Sequence, residues 1–363
     1  GDALTTGGNN IAIGLEALGA DTLGDRNVAI GNNSLTTQNF TTATNSYNVA
    51  IGHSAGTSIT TGNKNVLIGG LAGDALTDSD TNVAIGYVAL SSDTLGQTST
   101  AIGNGALRDQ NFTTATNSNN TAVGYQAGLS ITTGTKNTFV GALAGDASDD
   151  GQNNTAVGYQ ALSANAGNKN TCVGTQAGIA VTGINNTIIG NEAGLLTTGD
   201  NNTFVGAYNA STGGCGEAMT TGDSNTIIGP YTGNTGGLDI RTNDNQIVLS
   251  SGNANPRVRI TSNFIRINDN QSMGTTADQS GGIFRSERDS MTNSANADDF
   301  KTSGFYRFDQ NASGLPASNK FFSIVIFGNG SNVVAQIAVE LQNTVSYVRS
   351  FNAAWSSWAR LDT

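Results

Sequence analysis

Histidine occurs once in this chain, at His53, and cysteine and tryptophan occur twice each. A single histidine leaves no histidine triad and no His-rich metal centre to assemble. Cys172 and Cys215 supply neither a disulfide framework nor a metal-ligand spacing. Cations are scarce, with 16 Lys and Arg against 27 Asp and Glu. The net charge of −11 argues against a nucleic-acid partner. No apolar run is long enough to span a bilayer and the first residues do not read as a signal peptide, so no membrane insertion is expected. Only 12% of residues are charged and the apolar ones recur in register, which speaks against disorder. Glycine does not fall at every third position, which excludes collagen.

What the chain does have is glycine, 48 residues of it, in a phrase that recurs thirteen times. The phrase reads Asn-(Val/Thr)-Ala-(Ile/Val)-Gly, as in Asn27 to Gly31, Asn82 to Gly86 and Asn154 to Gly158. The closing glycines step from Gly14 to Gly31, from Gly52 to Gly69 and from Gly158 to Gly174. A short period held this long marks a stacked solenoid. At one strand spacing per coil, thirteen coils make a rod of roughly 60 Å. The chain opens in mid-pattern at Gly1, so it is expected to be a fragment of something longer.

Each phrase reads as a short strand with two faces. The β-branched residues on either side of the central alanine form one face and the alanine forms the other. The β-branched face is expected to fill the coil. The alanine face, left over thirteen times, is expected to meet other copies in a closed C3 assembly. Asn stands four residues before the glycine in twelve of the thirteen phrases, Ser99 being the exception. Stacked one per coil, these residues are expected to form a hydrogen-bonded ladder, with αL geometry tolerated at the Asn. The glycines (Gly31, Gly86 and Gly158 among them) are expected where a side chain would collide or φ is positive. Cys172 replaces the usual alanine and is expected to be buried. Cys215, in Gly213-Gly214-Cys215-Gly216, is expected to be partly exposed.

A second period overlies the first. The uneven intervals between Gly14, Gly31, Gly52, Gly69 and Gly86 repeat unchanged from Gly86 through Gly103, Gly124 and Gly141 to Gly158. Residues Asn39 to Ser46 recur identically at Asn111 to Ser118, and Asp21 to Gly24 recur at Asp93 to Gly96. Duplication of a four-coil block is the simplest source. The insertions carry Phe40 and Phe112, expected to tuck over the coil.

Charge and composition change near residue 235. Residues 1–235 hold 5 Lys/Arg and 16 Asp/Glu, whereas residues 236–363 hold 11 of each. Leu238–Arg241, Gln246–Ser250, Arg257–Ile260 and Phe264–Ile267 alternate with period two and read as short strands of a neck. Residues 273–363 concentrate the aromatics. Strands are expected after Asp298, over Phe321–Phe327, Val333–Leu341 and Val345–Phe351, in a small α/β or mostly-β domain.

The Asn-Thr-Ala-Val-Gly-x-x-Ala phrase resembles the repeats of trimeric autotransporter adhesin heads, which are left-handed β-rolls, and the phage tail-fibre shafts that share them. This resemblance covers residues 9–233. Residues Thr302–Tyr306, Tyr347–Asn352 and Trp355-x-x-Trp358-x-x-Leu361 resemble the knob domains of R-type pyocin and phage tail fibres. The resemblance implies attachment to bacterial surface glycans.

The chemistry available is thin. His53 follows a repeat glycine at a varied position and reads as exposed. Asp78, Asp80, Asp149 and Asp150 fall in variable turns and read as solvated. No catalytic residue, metal ligand or cofactor is therefore assigned. Aromatic stacking on sugar rings makes Tyr306, Tyr347, Arg349, Trp355, Trp358 and Arg360 the candidate receptor-binding set. The expectation is a mostly-β homotrimer. Its parts are a β-solenoid shaft over 1–235, an intertwined β neck over 236–272 and a knob over 273–363. Its expected function is non-enzymatic attachment of a virion tail fibre, outside the cell, to bacterial polysaccharide or lipopolysaccharide, with upstream tail proteins as further partners. A bacterial trimeric adhesin and a glycan-depolymerising tailspike are the alternatives.

Overall fold

The computed structural model describes residues 1–261 except 207, 209 and 212, and beyond them only strands between 265 and 360. It is all-β, with no helix among the described residues. Two units divide at Asn255 and Pro256.

The first unit is a β-solenoid of about fourteen turns. Its sheet runs from Ile11–Ile13 to Ile247–Ser250, each strand lying parallel to the next. Every phrase pairs in register with its neighbours, as Val49, Ala50 and Ile51 do with Val66, Leu67 and Ile68. The last strand lacks the phrase, because Gln246 stands in for Asn and no glycine closes it. It still pairs with Thr226–Ile228, so the ladder extends one coil beyond the thirteen phrases. Leu238–Arg241 forms no strand. Instead Ile240 is buried, and the Tyr231 hydroxyl donates to Leu238 O at 2.9 Å.

The two faces of the repeat strand are the reverse of the expectation. Ala29, Ala50, Ala84, Ala101, Ala122 and Ala156 are all fully buried. Their β-branched neighbours are half-buried or exposed, Val140 at 37% and Ile228 at 48%. The reason is space. A coil this short encloses a thin interior, and two rows of branched side chains do not fit inside it.

Volume within the coil is traded between rows. Where the strand centre is Ala29, Ala84, Ala101 or Ala156, the fourth residue after the glycine is a buried leucine: Leu35, Leu90, Leu107 or Leu162. Those leucines sit at φ near +50°, as Leu35 does at 49°. Left-handed backbone costs about 1–2 kcal/mol, and burying a leucine contributes about 1.5–3 kcal/mol. Where the centre is Leu67, Phe139 or Ile188, glycine takes the fourth position. A Cβ on Gly145 would lie 2.6 Å from the Phe139 ring, and one on Gly73 2.8 Å from both Leu67 and Leu76.

The Asn row is a buried ladder whose side chains bond to backbone rather than mainly to one another. Asn48 Oδ1 accepts from Asn65 N, Asn65 Oδ1 from Asn82 N and Asn82 Oδ1 from Ser99 N, each at 2.9 Å. Most amide nitrogens reach across the coil to a carbonyl, as Asn48 Nδ2 does to Gly62 O at 2.8 Å. The ladder Asn does not adopt αL geometry. The residue before it does, Lys64 at φ 58° and Asn153 at 59°. The corner glycines obey both expectations. Gly52 has φ 142°, and a Cβ there would stand 2.4 Å from Gly69 O.

Phe40 and Phe112 are buried under the inserted loops. Each loop adds a two-residue parallel pair, Gly24–Asp25 with Thr44–Asn45 and Gly96–Gln97 with Thr116–Asn117. Cys172 is fully buried. So is Cys215, against the expectation of partial exposure. The glycines around it let Cys215 take the alanine position of its coil, where its carbonyl accepts from Gly194 N at 2.9 Å.

In the second unit Pro256–Ile260 pairs antiparallel with Ile265–Ile267. Strands Thr302–Phe308, Phe322–Asn329, Val334–Glu340 and Ser346–Asn352 form an antiparallel meander. Ala354–Trp355 and Ala359–Arg360 both pair with the last of these.

Candidate interaction surfaces

One surface stands out in the solenoid, and strand register gathers a set of residues in the second unit. In the solenoid, the outward residues of successive strands make two parallel rows. One row is valine in Val28, Val49, Val66 and Val83, then threonine from Thr100 to Thr226. The other is Ile or Val throughout, from Ile13 to Ile228. Ile11, Ile13, Val140, Val157, Ile189 and Ile228 are exposed there. In-register stacking makes this stripe continuous over the length of the sheet. Its width is one three-residue strand, so its area is on the order of 600 Å². That approaches the roughly 800 Å² per partner of a standard interface.

In the second unit, register gathers most of the candidate receptor-binding residues. Tyr306 pairs with Ile324, Ile324 with Ala338, Ala338 with Tyr347, and Tyr347 with Arg360. Directly opposed residues share one side of a sheet, so Tyr306, Tyr347 and Arg360 belong to one cross-strand row. Arg349 is two positions along from Tyr347, on the same side by strand alternation. Trp355 is opposite Phe351, two positions further. Trp358 lies outside the described residues. The neighbouring row, Phe305, Val325, Ile337, Val348 and Ala359, is wholly apolar.

The polar interior of the solenoid is structural in its contacts. Under each inserted loop a buried carboxylate is held by three donors. Asp21 accepts from Gln38 Nε2 at 2.6 Å, Gly24 N at 3.0 Å and Phe40 N at 3.3 Å. Asp93 accepts from Gln110 Nε2 at 2.5 Å and from Gly96 N and Phe112 N, each at 3.0 Å. Burial raises the Asp93 carboxyl above its ordinary 3.8, and the hydrogen bonds from Phe112, Gln110 and Gly96 oppose that rise. The repetition of Asp21 to Gly24 was visible in the sequence, but nothing there marked these two acids as buried. Burial pushes the Cys172 and Cys215 thiols up to about 12, which leaves them protonated and unreactive.

The solvated acids behave as turn residues. Asp78 accepts from Thr61 Oγ1 at 2.7 Å and Asp80 from Asn63 N at 2.8 Å; Asp149 accepts from Thr132 Oγ1, and Asp150 is exposed. His53 is exposed. Among the described residues no group of three or more His, Cys, Asp and Glu could hold a metal ion, and no helix could cross a membrane. The chain matches no family model, no curated protein and no solved structure.

Proposed function

We propose that this chain is the distal part of a homotrimeric phage tail fibre that attaches a virion to a bacterial surface glycan. The solenoid supplies length and stiffness, and the second unit makes the contact. The observation that carries this reading is the outward stripe. A single chain exposes Ile and Val on strand after strand, a surface that other copies of the chain would cover. Three copies packed by their stripes leave the turns outermost, and neither end of the array needs to be wide. The β-branched side chains, not the alanines, then meet across the axis.

Recognition is assigned to the row of Tyr306, Tyr347 and Arg360 with Arg349 and Trp355. Tyrosine and tryptophan stack on sugar faces and arginine bonds to hydroxyls or phosphates. The upstream partners are tail proteins of the virion.

Light scattering at micromolar concentration tests the assembly. A mass three times that of the chain is expected, and a monodisperse monomer overturns it. Glycan-array binding by the full chain tests recognition. Tyr347→Ala with Arg349→Ala is expected to lower it at least tenfold, and unchanged binding moves the receptor site elsewhere.

A further inference from the structure

The outward stripe stops at the corner glycine, and the position after each corner begins a different row on the turn. Along that row an aromatic ring recurs on every second coil: His53, Tyr87, Tyr125 and Tyr159. The coils between carry small side chains or none, at Gly70, Asn104 and Ala142. The intervening strands confirm the two-coil step. Val66–Ile68 separates the strands before His53 and Tyr87, Thr100–Ile102 those before Tyr87 and Tyr125, and Thr138–Val140 those before Tyr125 and Tyr159. The three tyrosines are 57%, 53% and 48% exposed. Where contact with the intervening coil is visible, it shows the ring leaning over it. Tyr87 Cδ2 and Cε2 lie 3.5 and 3.9 Å from where a Cβ on Gly70 would be.

We propose that this row is a stacking platform for an extended, uncharged β-1,4-linked glycan lying along the solenoid. Three observations select that ligand. The first is chemical: a tyrosine about half exposed offers the flat apolar surface on which the C–H face of a pyranose packs. The second is spacing. Two coils are about 9.6 Å, close to the two-sugar repeat of a β-1,4-linked chain, in which alternate sugars present the same face. A helical α-linked glucan offers no straight repeat of that kind. The third is charge. Residues 1–235 carry 16 Asp/Glu against 5 Lys/Arg, a field that repels phosphorylated or uronate polymers and leaves a neutral one favoured. The small residues between the rings leave room for the sugars that face away. This site is separate from the cross-strand row assigned to receptor contact in the second unit, and it does not depend on that assignment.

The test is affinity electrophoresis of the full chain in native gels containing dissolved hydroxyethyl cellulose, with soluble starch as the control polymer. Retardation by the β-1,4-glucan and not by starch is expected. Each single tyrosine-to-alanine change should weaken retention about three- to tenfold, and Y87A/Y125A/Y159A together should abolish it. Tyr125→Phe keeps the ring and should bind as the parent does, which separates stacking from any effect on the fold. Thermal melting and light scattering of the triple variant should match the parent. No retardation of the parent, equal retardation by starch, or full retention by the triple variant overturns the proposal. So does a parent without retention whose triple variant changes its oligomeric state, because the row then belongs to contacts between copies.

Discussion

Residues 14–85 and 86–157 are two copies of one four-coil block, and they have diverged in matched ways. Leu67 of the first is Phe139 of the second, and Leu76 is Ser148. All four are fully buried, so a larger ring in one row is offset by a smaller side chain in the next. The exchange leaves a cost, because the Ser148 hydroxyl is buried without a partner. Asn27 of the first block is Ser99 of the second. In most coils of these blocks the ladder Asn bonds to a carbonyl further round its own coil, as Asn65 Nδ2 does to Ser79 O. After Asn27 the inserted loop displaces that carbonyl. Asn27 Nδ2 is accordingly buried without a partner. Ser99 has no such nitrogen, and its hydroxyl accepts from Gln110 Nε2 at 2.8 Å. The one exception to the Asn phrase thus falls where the loop removes the Nδ2 bond of the ladder Asn, although Asn27 Oδ1 still accepts from Asn48 N at 3.1 Å and from Ser46 Oγ at 2.8 Å. The comparison shows that each repeat residue is selected by its neighbours on adjacent coils as much as by its own coil.

The corner glycines are where the blocks should not differ. Gly52→Ala and its counterpart Gly124→Ala both place a Cβ within 2.4 Å of a carbonyl, Gly69 O and Gly141 O. Each is expected to destabilise the solenoid by about 4 kcal/mol or more in urea unfolding. A large difference between the two would show that the blocks are not mechanically equivalent.

The Asn ladder should separate them. Asn65→Ser leaves Asn82 N and Ser79 O without their partners. It is expected to cost about 2–3 kcal/mol. Asn27→Ser imitates the second block; it removes an unpaired donor but also the Oδ1 that accepts from Asn48 N and Ser46 Oγ, so it should cost about 1–2 kcal/mol, less than Asn65→Ser. Equal losses at the two sites would break the account of Ser99.

Volume compensation predicts coupling. Phe139→Leu alone should cost about 1–2 kcal/mol through the space it leaves. Adding Ser148→Leu restores the pair found in the first block and should recover most of that loss, a double-mutant coupling of about 1 kcal/mol.

The smallest effect is one of pH. The fold raises the Asp93 carboxyl above 3.8, so the folded chain holds that proton more tightly than the unfolded chain does. Its ionisation therefore opposes folding above its folded pKa, and the opposition fades as pH falls toward 3.8. Mild acidification should raise the solenoid's melting temperature slightly. Asp93→Asn should flatten that dependence, and an unchanged slope would assign it to other carboxyls such as Asp74 and Asp146, which burial also raises.

Much of the solenoid was legible beforehand. Period, strand position, the Asn ladder, the corner glycines and the burial of Phe40, Phe112 and Cys172 all follow from local pattern and backbone sterics. The fourteenth turn was not, because Gln246 and the missing glycine break the phrase while leaving the pairing intact. Nor was the burial of Cys215, which depends on how the glycines around it return the chain to its alanine row. In the second unit the strands Phe322–Asn329, Val334–Glu340 and Ser346–Asn352 lie close to where the sequence placed them. The row joining Tyr306, Tyr347 and Arg360 was not legible, since register across four strands is a property of their pairing. The tyrosine row had the same difficulty. The stretch from Tyr87 to Tyr125 contains an inserted loop and the stretch from Tyr125 to Tyr159 does not, so only counting coils makes the two steps equal.

The chain's own residues settle that it winds into coils, and where each coil turns, because a three-residue strand, an Asn and a glycine corner act within a single repeat. Which face of that strand points inward is not local information. Alanine and its β-branched neighbours are both apolar, and pattern alone treats either face as a core. The decision comes from the width of the closed coil. It admits alanine, or a larger residue flanked by glycine, and it turns valine, threonine and isoleucine outward.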